Sequence, residues 1–253
     1  MPLELVTIPC LRDNYAFLAR DPETGAIACV DVPEAAPILA ALRDRGWKLT
    51  DILLTHHHPD HIDGVADLVA ATGARVTGAA ADAHRLPPLD HALQPGDRVR
   101  IGAQEGTVID VSGHTVGHVA FAFPGHAFTG DSLMALGCGR LFEGTAPMMW
   151  ASLSRLATLP PDTLICSGHE YTEANARFAL TIEPGNPRLM ERAQAVRAAR
   201  SAGHPTVPST LAEELATNPF LRASQPEIKA LLGLTQAADA EVFAEIRARK
   251  DRF

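Results

Sequence analysis

The sequence predicts an α+β chain made of a strand-rich αβ part followed by an all-helical tail. Three observations predict it. Short apolar runs alternate with turns over the first two-thirds of the chain. From about Tyr171 the segments become helix-like, punctuated by prolines and Gly203. The chain has 253 residues, 46% of them hydrophobic, which suits one large domain or a main domain with a smaller appendage. The texture changes near residue 168, so the expected domains are 1–168 and 169–253.

In chain order, the runs Leu3–Ile8, Tyr15–Leu18 and Ala26–Asp31 read as strands. Pro37–Arg45 reads as a helix that stops near Gly46. Asp51–Thr55 is a short, strongly apolar strand that ends where a histidine run begins, and Ile62–Thr72 is a helix stopped by Gly73. Val76–Gly78, Arg98–Ile101, Thr107–Val111, Val119–Phe123, Ala127–Thr129 and Leu164–Cys166 are further strands, with a helix over Met148–Leu159. The tail holds helices over Glu173–Ile182, Pro187–Ala202, Ser209–Ala216, Pro226–Leu232 and Ala238–Lys250. No repeat at solenoid periods and no low-complexity linker is present.

Composition narrows the function. A formal charge of −8 argues against a broad nucleic-acid-binding face and gives no support to binding an anionic membrane. No apolar run approaches the roughly 20 residues of a membrane span, and Met-Pro-Leu-Glu-Leu-Val does not read as a secretory signal. The default compartment is the cytoplasm, where Cys10, Cys29, Cys138 and Cys166, scattered and without a CxxC pair, are expected as free thiols. No obligate protein partner is evident.

The chemistry concentrates at strand ends. His56, His57, His58 and His61 fall within six residues, with Asp60 among them, after an apolar strand and before a helix. Imidazole and carboxylate together suit zinc, iron or manganese. A solvated surface cluster is the plain alternative. Against it, His114, Asp131 and His169 each follow another apolar run, so four separate strand ends present a metal-competent residue. Asp31 and His118 read as structural, with a supporting role behind the ligands as the alternative. No G-x-S-x-G elbow competes for the chemistry.

With these residues the sequence resembles the metallo-β-lactamase superfamily, and most closely its hydroxyacylglutathione hydrolase (glyoxalase II) branch. The superfamily likeness rests on THHHPDH at 55–61, GHTVGH at 113–118 and FTGDSL at 128–133. The branch likeness rests on GCGRLFEGT at 137–145, GHEYTEAN at 168–175, NPFLR at 218–222 and the ending RARKDRF at 247–253. The resemblance implies an αββα sandwich with a C-terminal helical domain and two divalent metal ions, zinc first, with iron or manganese as alternatives. It implies His56, His58 and His114 on one metal, Asp60, His61 and His169 on the other, and Asp131 bridging both; His57 is not a ligand. The implied nucleophile is a metal-bridged hydroxide oriented by Asp60.

The implied substrate is an S-(2-hydroxyacyl)glutathione, above all S-D-lactoylglutathione, a small-molecule thioester cleaved to glutathione and D-lactate as the second step of methylglyoxal detoxification. The resemblance assigns its contacts to Arg140, Leu141, Phe142, His169, Glu170, Tyr171, Arg247 and Lys250. Arg247 and Lys250 are three apart and share a helical face, although basic residues in a last turn also complement the helix dipole without any ligand. Where many relatives have a tyrosine hydroxyl on glutathione, this chain has Phe142. Three other readings stay open here: a one-iron persulfide dioxygenase, a β-lactam hydrolase and a metal-stabilised binding module. The helical tail with its HEYT segment and basic ending favours the thioesterase.

Overall fold

Three short runs, Ile27–Val30, Asp51–Leu53 and Arg75–Ala79, are buried almost throughout, the signature of strands covered on both faces. In the computed structural model, which describes residues 2–253, they lie side by side and parallel, with Cys29 opposite Ile52 and Ile52 opposite Val76. The chain divides into two compact units. The first comprises residues up to 110 together with 117–130, and the second comprises 111–116 together with 131–253.

In the first unit, β1 (Glu4–Cys10), β2 (Asn14–Arg20) and β3 (Ile27–Val30) form an antiparallel meander. After α1 (Ala35–Arg45) comes β4 (Asp51–Leu53), then α2 (Pro59–Ile62), α3 (Val65–Thr72), β5 (Arg75–Ala79) and β6 (His91–Leu93). The sheet order is β1-β2-β3-β4-β5-β6, and from β3 onward the pairs are parallel. Ile38 and Leu42 of α1 and Leu68 of α3 pack on Leu18, Ile27, Ile52 and Val76 to make the core. Each such side chain, fully buried, contributes about 1.5–3 kcal/mol. A four-stranded antiparallel run follows: β7 (Arg98–Ile101), β8 (Gln104–Asp110), β9 (Val119–Phe123) and β10 (His126–Gly130).

In the second unit a small hairpin, β11 (Leu133–Met134) and β12 (Gly137–Cys138), leads to α4 (Ala146–Leu156) and β13 (Leu164–Ser167). Then come α5 (Thr172–Ile182), α6 (Pro187–Ser201), β14 (Ser209–Thr210), α7 (Leu211–Thr217), α8 (Pro226–Leu232) and α9 (Asp239–Arg252). β14 pairs with β13. Phe178, Phe220 and Phe243 are fully buried and pack ring on ring.

Two differences from the sequence reading have clear causes. The helix expected over Ile62–Thr72 starts only at Val65 as α3, and Ile62 instead ends a separate short helix, α2, with Asp63 and Gly64 between them. The Gly64 N–H donates to the Val32 carbonyl, and a Cβ there would sit 2.8 Å from the Glu34–Ala35 backbone, so only glycine lets the chains approach. The four strands not anticipated, β6, β11, β12 and β14, have two or three residues each, too few for a periodic signal. Among the described residues, no helix is long and apolar enough to cross a membrane, and all four cysteines are free and buried.

Candidate metal centre

In the first unit the site is built where parallel strands end. Asp31 follows β3, Thr55 to His58 follow β4, and Asp82 follows β5, all at carboxyl ends, where open α/β sheets place their ligands. The Leu54 N–H still reaches β5, donating to Thr77. One residue later the Thr55 N–H turns aside to the Asp31 carboxylate at 2.8 Å. That turn ends the strand short of Thr55 and releases the histidine loop.

The donors are then oriented one by one. His61 Nδ1 lies 2.8 Å from Asp31 Oδ2, so it carries the proton and its Nε2 presents a lone pair. The Thr55 hydroxyl donates to the same Oδ2 at 2.8 Å, which leaves only lone pairs facing His56 Nδ1 at 3.0 Å. His56 therefore also holds its proton on Nδ1, and its Nε2 looks across 3.2 Å at His58 Nδ1. The His118 ring stacks on His56 at 4.5 Å. Asp60 Oδ2 sits 4.0 Å from His61 Nε2 and accepts from Asn14 Nδ2 at 3.1 Å. His56 and His61 are fully buried, while His58 and Asp60 are half-buried. His57 faces away, to Asp82 at 3.0 Å, whose other oxygen is held by Arg85.

In the second unit His114, Asp131 and His169 come together. Asp131 Oδ2 is 3.5 Å from His114 Nε2 and 3.3 Å from His169 Nε2. His114 Nδ1 donates to the Arg140 carbonyl at 2.8 Å, so in the neutral ring the nitrogen facing the carboxylate has a lone pair. A neutral imidazole facing a carboxylate in a buried pocket is two acceptors face to face, an arrangement that a metal ion or a proton satisfies. The same holds for His56 Nε2 when His58 is in its Nε2–H form. The donor set is nitrogen and oxygen only, which fits a divalent zinc, iron or manganese ion.

The branch motif at 137–145 is tied to the superfamily motif beside it. The Phe142 and Glu143 N–H groups both donate to the His114 carbonyl, and Gly144 donates to Gly113. A Cβ on Gly139 would lie 2.0 Å from the Asp131 carbonyl oxygen, so glycine is required there by close approach. Phe142 is exposed, with its ring edge-on to His114 at 5.2 Å, and the Tyr171 ring stacks flat on His169 at 4.6 Å. Arg140 is exposed and Leu141 half-buried.

Two residues read as substrate contacts are engaged within the fold. The Glu170 carboxylate accepts from the Thr206 N–H and hydroxyl at 2.8 and 2.5 Å. The Arg247 guanidinium is buried and donates to the Cys138 carbonyl at 3.0 Å and to Asp251 at 2.7 and 3.0 Å. Lys250 is half-buried, its Nζ 5.1 Å from the Phe178 ring centre and 3.4 Å from the Ala174 carbonyl. Burial first, and then the neighbouring charges of Arg247, Arg177 and Arg140, lower its pKa to about 8.

Several supporting residues escaped the sequence reading. Asn218 Nδ2 donates to the carbonyls of Met134 and Gly137, Asn175 to Ala135, and Glu214 accepts from the Leu136 N–H. They hold the β11–β12 hairpin between Asp131 and Arg140. Asn218 and Asn175 lie inside the quoted segments NPFLR and GHEYTEAN, which was the available signal.

A family model described as the metallo-beta-lactamase superfamily matches residues 22–169, and one described as hydroxyacylglutathione hydrolase C-terminus matches residues 170–253. The hydroxyacylglutathione hydrolase of a Jannaschia species is 69% identical over 252 residues, covering 99% of this chain and 98% of its own. That of Cereibacter sphaeroides is 68% identical over 255 residues, the whole of both chains. A crystal structure of TTHA1623 in a di-iron-bound form shares 30% identity, covers 86% of this chain and 100% of its own, and superposes with a TM-score of 0.61.

Proposed function

As a member of the hydroxyacylglutathione hydrolase family within the metallo-β-lactamase superfamily, this chain hydrolyses hydroxyacylglutathione thioesters in the glyoxalase pathway, and we propose that it does so at a two-metal centre. The observation that carries the reading is near-complete coverage at 68–69% identity by two relatives of that name. His56, His58 and His114 would hold one divalent ion, Asp60, His61 and His169 the other, with Asp131 shared. The di-iron form of TTHA1623 supports a pair of metals, and the all-nitrogen-and-oxygen donor set accommodates zinc as well. S-D-lactoylglutathione is the proposed main substrate. The four free thiols support a cytoplasmic setting.

Divalent ions held by these residues would supply Lewis acidity, lowering the pKa of a water from about 15.7 towards about 7 and polarising the thioester carbonyl. Asp60 orients that water and takes its proton at the carboxylate held by Asn14. No general acid is needed for the leaving group, because a thiol of pKa about 8.5 departs as thiolate. Arg140 and Lys250 attract the carboxylates of glutathione, Tyr171 and Leu141 flank it, and Phe142 offers ring contact without a hydroxyl. Arg247 acts through the Cys138 carbonyl, steadying the turn that presents Arg140. Glu170 steadies the loop after His169 through Thr206.

The test is direct. Purified protein should consume S-D-lactoylglutathione, read as falling thioester absorbance, and prolonged chelation should abolish turnover until divalent metal is restored. Fully metallated protein without thioesterase activity would overturn the reading.

A pH prediction follows from Lys250. Its pKa is depressed from the ordinary 10.5 to about 8, so the charge is present below that pH and lost above it. A lost charge-assisted bond is worth roughly 1.5–3 kcal/mol. KM for the thioester should therefore rise about tenfold between about pH 7 and pH 9, with kcat little changed. Lys250→Met should have a high KM at both pH values. A pH-independent wild-type KM would remove Lys250 from the binding site.

A further inference from the structure

We propose that Asp31 is a positioning residue that sets the tautomers of His56 and His61 together, and so poises one imidazole of each proposed metal set through a single carboxylate. The inference rests on the ligand assignment above. Asp31 stands just after β3 in the left-handed region, with φ 56°, a conformation that aspartate tolerates better than most residues. The twist keeps its N–H on the Leu53 carbonyl while turning the buried side chain toward β4. There it accepts three donors. Oδ1 takes the Thr55 N–H, and Oδ2 takes both the Thr55 hydroxyl and His61 Nδ1–H, each at 2.8 Å.

The logic is directional. A carboxylate only accepts, so His61 must be protonated on Nδ1. The Thr55 hydroxyl has one hydrogen, and Asp31 takes it, so His56 must donate from Nδ1 to Thr55. As neutral imidazoles, both rings are thereby left with Nε2 lone pairs. The partners lie 24 and 30 residues from Asp31 in sequence, so the loop that carries the histidines is oriented from a different strand. Partners of this kind fix ring orientation and typically change metal affinity by about 10- to 100-fold.

Asp31→Asn makes this testable, because the Thr55 N–H is a fixed donor. Asparagine must keep its oxygen at the Oδ1 place and put its amide at the Oδ2 place. That amide faces the Thr55 hydroxyl and His61 Nδ1 as a donor. His61 is then driven to the Nε2–H form. Thr55, its acceptor gone, can donate to His56 Nδ1 and drive that ring to Nε2–H as well. Thr55→Val breaks the chain to His56 alone and leaves His61 on Asp31.

The experiment uses the full-length, metal-free chain labelled with 15N-histidine, read by long-range 1H–15N spectra, together with zinc titration against a chromophoric chelator. Wild type should show Nδ1–H for both rings. Asp31→Asn should lose both assignments and bind two zinc ions about 10- to 100-fold more weakly. Thr55→Val should change only His56 and weaken one of two zinc events about tenfold. Unchanged tautomers in Asp31→Asn, or wild-type affinity at both sites, would overturn the proposal. If Asp31→Asn does not fold, an unchanged His56 tautomer in Thr55→Val overturns it. Wild type that binds no zinc, iron or manganese would instead sink the two-metal reading, and the tautomers would still decide the role of Asp31.

Discussion

Replacing Asp131 with alanine is expected to lower kcat/KM by about three orders of magnitude, since a metal centre supplies several kcal/mol of transition-state stabilisation and each 1.36 kcal/mol is tenfold. Asp131 follows β10 and is buried, with two imidazole nitrogens, His114 Nε2 and His169 Nε2, within 3.5 Å of one oxygen. Its removal takes away the negative charge that faces both imidazoles and, in the proposed centre, the carboxylate shared by the two ions. The metal-free variant should melt close to the metal-free wild type, because no hydrophobic contact is lost. The difference should appear on adding zinc. Wild type gains stability in proportion to RT ln(1 + [L]/Kd), and Asp131→Ala should gain little. Asp131→Asn keeps the shape but sets an amide donor or a neutral oxygen among the same nitrogens, so it should recover only a minor part. An alanine variant with kcat/KM within tenfold of wild type and full metal content would show that Asp131 is not a ligand.

The proposed ligands were legible because chemistry and topology coincide in them. Histidine is rare, and a histidine or aspartate just after a buried apolar run marks a strand end, as His56, His114, Asp131 and His169 do. What orients those ligands was legible only as an alternative reading of Asp31, and not at all for Thr55. Asp31 and Thr55 are ordinary residues whose meaning arises only when β3 and β4 lie side by side in register, Val30 opposite Leu53. The hairpin at 133–138 shows the same limit. Its strands are two residues long, and it is held by Asn175, Glu214 and Asn218 from the helical tail. A buried polar residue that satisfies a distant backbone group leaves no local pattern.

Arg247 carries a second role that its place in the sequence does not show. A basic residue near a chain end, three before a lysine, invites a ligand reading, and the spacing does put both on one helix. Burial separates the two. Arg247 donates to a carbonyl of β12 and lies 5.2 Å from the Phe220 ring centre, whereas Lys250 keeps partial exposure and fewer partners of opposite charge. In the proposed site the tail would serve in two ways: it buttresses the turn from which Arg140 projects, and it would offer Lys250 as a cation of its own.

Asp60 carries the other large effect. Asp60→Asn is expected to reduce kcat by about 10²- to 10⁴-fold, the usual weight of a positioned general base. Asparagine is nearly isosteric, and its oxygen can still accept from Asn14 Nδ2, so the half-buried loop should keep its shape. What it cannot do is take a proton. KM for the thioester should stay within about threefold, because the proposed anchors of glutathione are Arg140, Tyr171 and Lys250; loss of a transition-state interaction alone lowers kcat and kcat/KM alike. Asp60 is also a proposed ligand, 4.0 Å from His61 Nε2, and the two roles separate on titration with metal. If saturating zinc restores kcat, Asp60 serves only to retain the ion. If kcat stays low at full occupancy, the carboxylate acts on the water itself. The second outcome is the one expected, since a neutral amide next to the nucleophile lacks both the charge that orients it and the basicity that accepts its proton.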